Sequence, residues 1–179
     1  MQSLYFIIAG CTKEYSFERG NNLIRIDTIQ VPLPISYVCP SCPGNNIFQE
    51  NKWSLRDDTL LRCGIIDTAI VNPERTAFTF YGPSACSSDT GIVITILLDT
   101  VHLNRNLANV TSNKTAFYYY DNAGQTYIYI SSPRNPFTVI IDSYNHQTKL
   151  ASGTFSGFAD KTGGGGTSIN SGKFSIKLH

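Results

Sequence analysis

Cys39 and Cys42 stand in a Cys-x-x-Cys frame within VCPSCPGNN, and Cys63 and Cys86 follow in separate strand-and-turn contexts. Four such thiols can hold zinc in a tetrahedral site or pair as disulfides. The frame supplies half of a zinc knuckle, but the other half is split between Cys63 and Cys86. A thioredoxin-like role needs a helix N-terminus to stabilise the thiolate, and Pro43-Gly44 follows directly instead. In an oxidising compartment an even set fits two bridges, with three connectivities open. Cys63 to Cys86 is favoured, because it closes a loop around TAFTFYG and is worth about 3 kcal/mol in loop entropy. Cys39 to Cys42 would only stiffen a turn, and the crossed pairings would clip the preceding chain onto the sheet. No metal and no cofactor is expected.

The other reactive residue types form no recognisable constellation. His102, His146 and His179 are scattered, with no spaced ligand pair among them. Asp57-Asp58 and Asp67 cluster loosely, while Asp99, Asp121, Asp142 and Asp160 end apolar runs, where aspartate caps turns more often than it catalyses. Ser84 in GPSACSS fails the nucleophile-elbow frame at its last position, where Cys86 stands. The run Gly163 to Gly166 lacks the Lys-Ser/Thr of a phosphate loop and reads as a hairpin tip.

The aromatic text is more informative. Phe117-Tyr118-Tyr119-Tyr120 faces Tyr127 and Tyr129 across the turn Asn122-Ala123-Gly124-Gln125. Strand alternation puts Phe117 and Tyr119 on one face and Tyr118 and Tyr120 on the other, and sets Tyr127 and Tyr129 on a common face. Phe117 has no hydroxyl to satisfy, so its face is assigned inward and Tyr118 and Tyr120 outward. Exposed tyrosines beside Asp121, Asn122 and Gln125 combine stacking area with donors and acceptors, a mix that suits sugar rings or polar peptide edges. Tyr118, Tyr120, Tyr127 and Tyr129 are therefore the candidate ligand platform.

The elements that must position these residues read as strands. Only 15% of the 179 residues are charged and the net charge is +1, against roughly 25% charged in an average domain. Without a Lys/Arg stripe, nothing draws nucleic acid. Strand text begins at Trp53 and continues over Leu60 to Val71, Thr76 to Tyr81 and GIVITILLD from Gly91, the last placed centrally with both faces covered. VHLNRNLANVTSN reads as a loop with one helical turn. TAFYYYD and TYIYIS, FTVIIDSY and KLASGTFSGFAD, and the terminal SINSGKFSIKLH complete eight or nine short strands. The expected fold is all-β, a single antiparallel sandwich over 35–179, with a small barrel as the alternative. Phe155, Phe158, Phe174 and Ile176 are available to its core.

Ahead of this body, LYFIIAG is too short to span a bilayer and stops at Cys11. Ile8-Ala9-Gly10-Cys11 resembles the lipobox of bacterial lipoproteins, in which the chain is cut before the cysteine and acyl chains are attached to it. No Lys or Arg precedes Leu4, a departure from that pattern. The resemblance implies a signal remnant over 1–10, and a lipid anchor at Cys11 heading a spacer over 11–34 that ends in LIRIDTIQVPLP.

CTKEYSFE, the GPSACSSD turn and ASGTFSGFADKTGGGGTSINSGKFSIKL are similar to an uncharacterised family of lipoproteins from Bacteroidetes bacteria. That likeness implies an exported β-rich domain closed by a terminal hairpin, and brings no activity. Asp27-Thr28-Ile29, Asp58-Thr59-Leu60, Asp67-Thr68-Ala69 and Asp99-Thr100-Val101 look like the O-glycan attachment sites of the same phylum. The resulting expectation is an outer-membrane lipoprotein, facing periplasm or surface, that serves as a non-catalytic binding or structural module. Its partners are the membrane, through the lipid on Cys11, and a glycan or envelope protein. The competing class is a hydrolase of surface glycans using Asp carboxylates.

Overall fold

The computed structural model describes Cys42 and residues 49–179, with Thr59 and Pro136 excepted. The chain divides into two units, Met1–Ile35 and Ser36–His179, and the described residues belong to the second. The expected signal remnant over 1–10, the expected anchor Cys11 and spacer over 11–34, and Cys39 lie outside the described residues.

Eleven strands and no helix make up the described fold. In chain order they are β1 (Lys52–Asp57), β2 (Leu60–Ile65), β3 (Thr68–Val71), β4 (Ala77–Ser84), β5 (Ser87–Leu97), β6 (Leu107–Ser112), β7 (Thr115–Asp121), β8 (Thr126–Ser131), β9 (Thr138–Tyr144), β10 (Leu150–Lys161) and β11 (Gly166–Lys177). Their antiparallel pairings run β11-β1-β2-β4-β5-β7-β8-β10, and β10 pairs back onto β11, which closes a barrel. β9 and then β6 extend from β10, and β3 extends from β4. The all-β expectation is met in its barrel form, and the pairings do not set out two separate sheets.

Two long strands turn the corners. The first half of β10 pairs with β9 and its end with β8, and β4 likewise serves β3 and then β2. The register shift beside Phe155 and Gly157 puts its extra residue on β11, so β10 keeps its alternation and residues three apart on it face opposite ways. Phe155 therefore stays in the core while Phe158 is exposed, which corrects its inward assignment; Phe174 and Ile176 are buried as expected.

The interior follows from period-two patterning. Ile92, Ile94 and Ile96 of β5 are fully buried, opposite Gly82, Phe80 and Phe78 on one side and Tyr119, Phe117 and Thr115 on the other. Burying each such aliphatic or aromatic side chain contributes about 1.5–3 kcal/mol before entropy. The other face of β5 carries half-buried Val93 and Thr95 and exposed Leu97, so this strand is covered on one face rather than both. ANVT within the presumed loop is strand β6, paired with β9 from Leu107 to Ser112. Tertiary pairing overrides its weak local pattern there.

Cys42 bonds to Cys63, with Cα atoms 5.5 Å apart and a sequence separation of 21. Cys86 is disulfide-bonded as well. The favoured Cys63 to Cys86 pairing is thus overturned in favour of a crossed one, and the tetrahedral zinc alternative loses its thiolates. The bridge lies on the outward side of β2, beside the thinnest seam of the barrel. There β2 meets β4 only at Gly64 and Ser84, with Ala85 N donating to Cys63 O at 2.8 Å. Replacing Cys42 and Cys63 with serine is expected to cost about 2–3 kcal/mol, since the bridge closes a loop of moderate length. Urea unfolding of oxidised wild type and double variant measures it, and superimposable curves would contradict it.

Candidate functional site

The hairpin of β7 and β8 forms where the sequence puts it, around a turn in which Asp121 Oδ1 accepts from Gly124 N at 3.2 Å. Its ladder is irregular. Tyr119 opposes Tyr129, but the next residue, Tyr120, opposes Tyr127, so Ile128 is extra on β8. Such a bulge reverses the facing of everything beyond it. Tyr127 is consequently 36% exposed on the outer face, whereas Tyr129 is 6% exposed and turned inward. The expectation that these two share a face is corrected by that single inserted residue.

Tyr118 is 40% exposed and outward, and Phe117 and Tyr119 are fully buried, as alternation requires. Tyr120 also points outward, yet it is only 9% exposed because its ring lies across β5. It stacks on Tyr81 of β4 with centroids 5.2 Å apart and planes 11° apart. Gly91, between them on β5, permits this: a Cβ there would stand 2.3 Å from the Tyr120 hydroxyl oxygen. Burial, and then the neighbouring Tyr81 hydroxyl, push the Tyr120 pKa well above its usual value. The Tyr120 hydroxyl is buried and makes no hydrogen bond of ordinary geometry.

Tyr81, Val93, Tyr118, Tyr120 and Tyr127 line an open depression of about 640 Å³, rimmed by Asn122, Gln125 and Thr126. Three of the four nominated tyrosines meet there. Tyr81 and Gly91 were missed, although a signal existed: Phe78 and Phe80 inward imply Tyr81 outward, and Gly91 opens the adjoining strand. The arrangement offers aromatic faces with amide and hydroxyl groups at their edge. It can grip a ligand that has both apolar and hydrogen-bonding surface.

Tyr129 instead completes a buried polar cluster. Its hydroxyl donates a short hydrogen bond to Asp57 Oδ2, which also accepts from Arg62 Nε at 3.0 Å. The Arg62 guanidinium lies 5.0 Å from the Tyr119 ring centroid and 5.8 Å from that of Tyr129. Tyr119 donates to Thr90 Oγ1 at 3.2 Å. Burial opposes the charge on Arg62, but Tyr119, Tyr129 and Asp57 together raise its pKa.

The remaining candidates stay apart. Asp58 accepts from Thr167 Oγ1 at 2.9 Å and Asp99 pairs with Lys114 at 2.9 Å on the surface, both of them structural contacts. Asp67 and Asp142 are exposed, and Asp160 is partly buried. His102 contacts the Glu74 carbonyl, His146 packs edge-on against Tyr144, and His179 is exposed at the end of the chain. Ser84 Oγ accepts from Cys86 N within a turn. Among the described residues no three His, Cys, Asp or Glu side chains gather as a metal site. Thr68 and Thr100 are exposed, while Thr28 and Thr59 lie outside the described residues. Comparison with protein families, with curated proteins and with solved structures finds no match to this chain.

Proposed function

We propose that this chain is a non-catalytic binding module that recognises its ligand on the tyrosine-lined depression of the barrel's outer face. The observation that carries the reading is the convergence of Tyr81, Tyr118, Tyr120 and Tyr127 from three strands, with Asn122 and Gln125 at the rim. Two of these rings are well exposed without belonging to the core, and Gly91 lets a third lie flat against a fourth. A strand needs none of this for stability. Asp57, Asp58, Asp99 and Asp121, by contrast, are spent on Arg62, Tyr129, Thr167, Lys114 and a turn amide.

The module works at the cell envelope, held by a lipid on Cys11, in the manner of the Bacteroidetes lipoproteins it resembles. That part rests on Ile8-Ala9-Gly10-Cys11 and the text after it. Mass spectrometry of protein from its native membrane tests it, and an unmodified peptide running from Met1 through Lys13 would overturn it.

Tyr118→Ala and Tyr127→Ala are each expected to lower capture on a glycan array or from an envelope extract about tenfold, which corresponds to about 1.4 kcal/mol. Losing a stacked, partly desolvated ring has that order of effect. Both side chains are exposed, so the fold should persist. Equal capture by wild type and both variants would leave the hairpin as scaffold.

A further inference from the structure

Resting on that reading, we infer that the depression is one end of a longer face that binds an extended, uncharged polysaccharide laid across the strands. Thr68, Tyr81, Val93, Tyr118 and Ile130 form one continuous outward row, in register over β3, β4, β5, β7 and β8. Beside it runs a second row, Ile70, Thr79, Thr95 and Ala116, in which the two threonine hydroxyls bond at 2.9 Å. Neither row contains a Lys, Arg, Asp or Glu. Adjoining strands lie about 4.8 Å apart, so five of them carry the row over about 19 Å. The spacing is close to the length of one pyranose ring, and the row accommodates several in succession.

The absence of a cation from both rows, with Asp67 beside Thr68 and Asp160 opposite Ile130 at the ends of the first, selects the occupant. An acidic glycan or a phosphorylated peptide would find no cation in either row, and each unpaired charge brought there would lose hydration without recompense. A peptide adding itself as a strand needs free backbone groups, but β4, β5 and β7 are already paired on both sides. Over these three strands the face therefore offers side chains alone, with the outer edge of β3 beyond them. Tyr and Val present flat apolar surface to the C–H faces of sugar rings, and Thr, Asn122 and Gln125 meet their hydroxyls.

The full chain would be titrated with neutral di-, tetra- and hexasaccharides of the cellulose, chitin, xylan and starch series, with hyaluronan and alginate as acidic counterparts. One neutral series is expected to gain at least tenfold in affinity from di- to hexasaccharide, with little dependence on salt. Ile70→Asp and Thr68→Asp, both at exposed positions of an edge strand, should cancel most of that gain. If Tyr118→Ala abolishes binding but length and the two Asp variants have no effect, the long face is wrong and the depression alone stands. Stronger binding of the acidic polymers, capture of protein only, or no binding of any neutral series overturns the inference. Failure of Tyr118→Ala to alter any binding overturns the underlying reading with it.

Discussion

Gly64→Ala is expected to destabilise the barrel by roughly 4 kcal/mol or more, enough to abolish folding in a domain of ordinary stability. The added Cβ would stand 1.9 Å from the carbonyl oxygen of Pro83 and 2.6 Å from Trp53 Nε1. The first of these is backbone on the neighbouring strand, and it cannot retreat while β2 and β4 remain paired. That pairing is already the narrowest in the barrel, held at Gly64 and Ser84 and by the bond from Ala85 N to Cys63 O. Trp53 cannot yield either, because its indole is fully buried and wedged between Gly64 and Gly82, where a Cβ would come within 2.8 Å of the ring. Gly163→Ala is the control. Gly163 has φ +88° and nothing within 4 Å of its added methyl, so only backbone strain of about 1–2 kcal/mol applies. Soluble yield and urea midpoints of the two variants decide the matter, and a midpoint for Gly64→Ala at or above that of Gly163→Ala would refute the clash.

That glycine also marks the boundary of what the sequence discloses. The inward sets of β4, β5 and β7 are legible because Phe78-x-Phe80, Ile92-x-Ile94-x-Ile96 and Phe117-x-Tyr119 each repeat with period two. The terminal hairpin is legible from its glycine tip. Closure is not, since the bond partners of an edge depend on chain far away, and neither Gly64 nor Gly82 announces that it makes room for Trp53. A register defect is equally silent: one residue inserted at Ile128 separates Tyr127 from Tyr129, whereas Phe158 lies outward by plain alternation with Phe155. The disulfide was misassigned for a related reason. Loop entropy ranks pairings by length alone, whereas the observed bridge is set by which segment lies across β2. The depression sat between these cases, with its hairpin half readable from local text and Tyr81 supplied by a strand two places away.

Asp57→Ala is expected to cost about 3–5 kcal/mol, as removal of one member of a buried ion pair does. Asp57 is buried at 8% exposure, and its Oδ2 serves both Arg62 and Tyr129. Without it the guanidinium keeps its position over two aromatic rings but loses its counter-charge, and the Tyr129 hydroxyl loses its acceptor. Replacing Asp57, Arg62 and Tyr129 together with Leu, Met and Phe should recover most of the loss, because no polar group is then stranded. The same cluster sets the alkaline behaviour of the fold. Burial, followed by the hydrogen bond to Asp57, pushes the Tyr129 pKa from its ordinary 10.0 up to about 12, with Arg62 opposing. A raised value means that the folded state prefers the protonated phenol. Its contribution is therefore complete below pH 10 and disappears as the pH climbs through about 12. Tyr129→Phe has no proton to lose there, so its stability should decline less over that interval than that of the wild type. Urea unfolding at neutral and alkaline pH, with tyrosinate absorbance followed in parallel, measures both effects. A small neutral-pH loss for Asp57→Ala, or identical alkaline decline with and without the Tyr129 hydroxyl, would show that the cluster does not govern stability in this way.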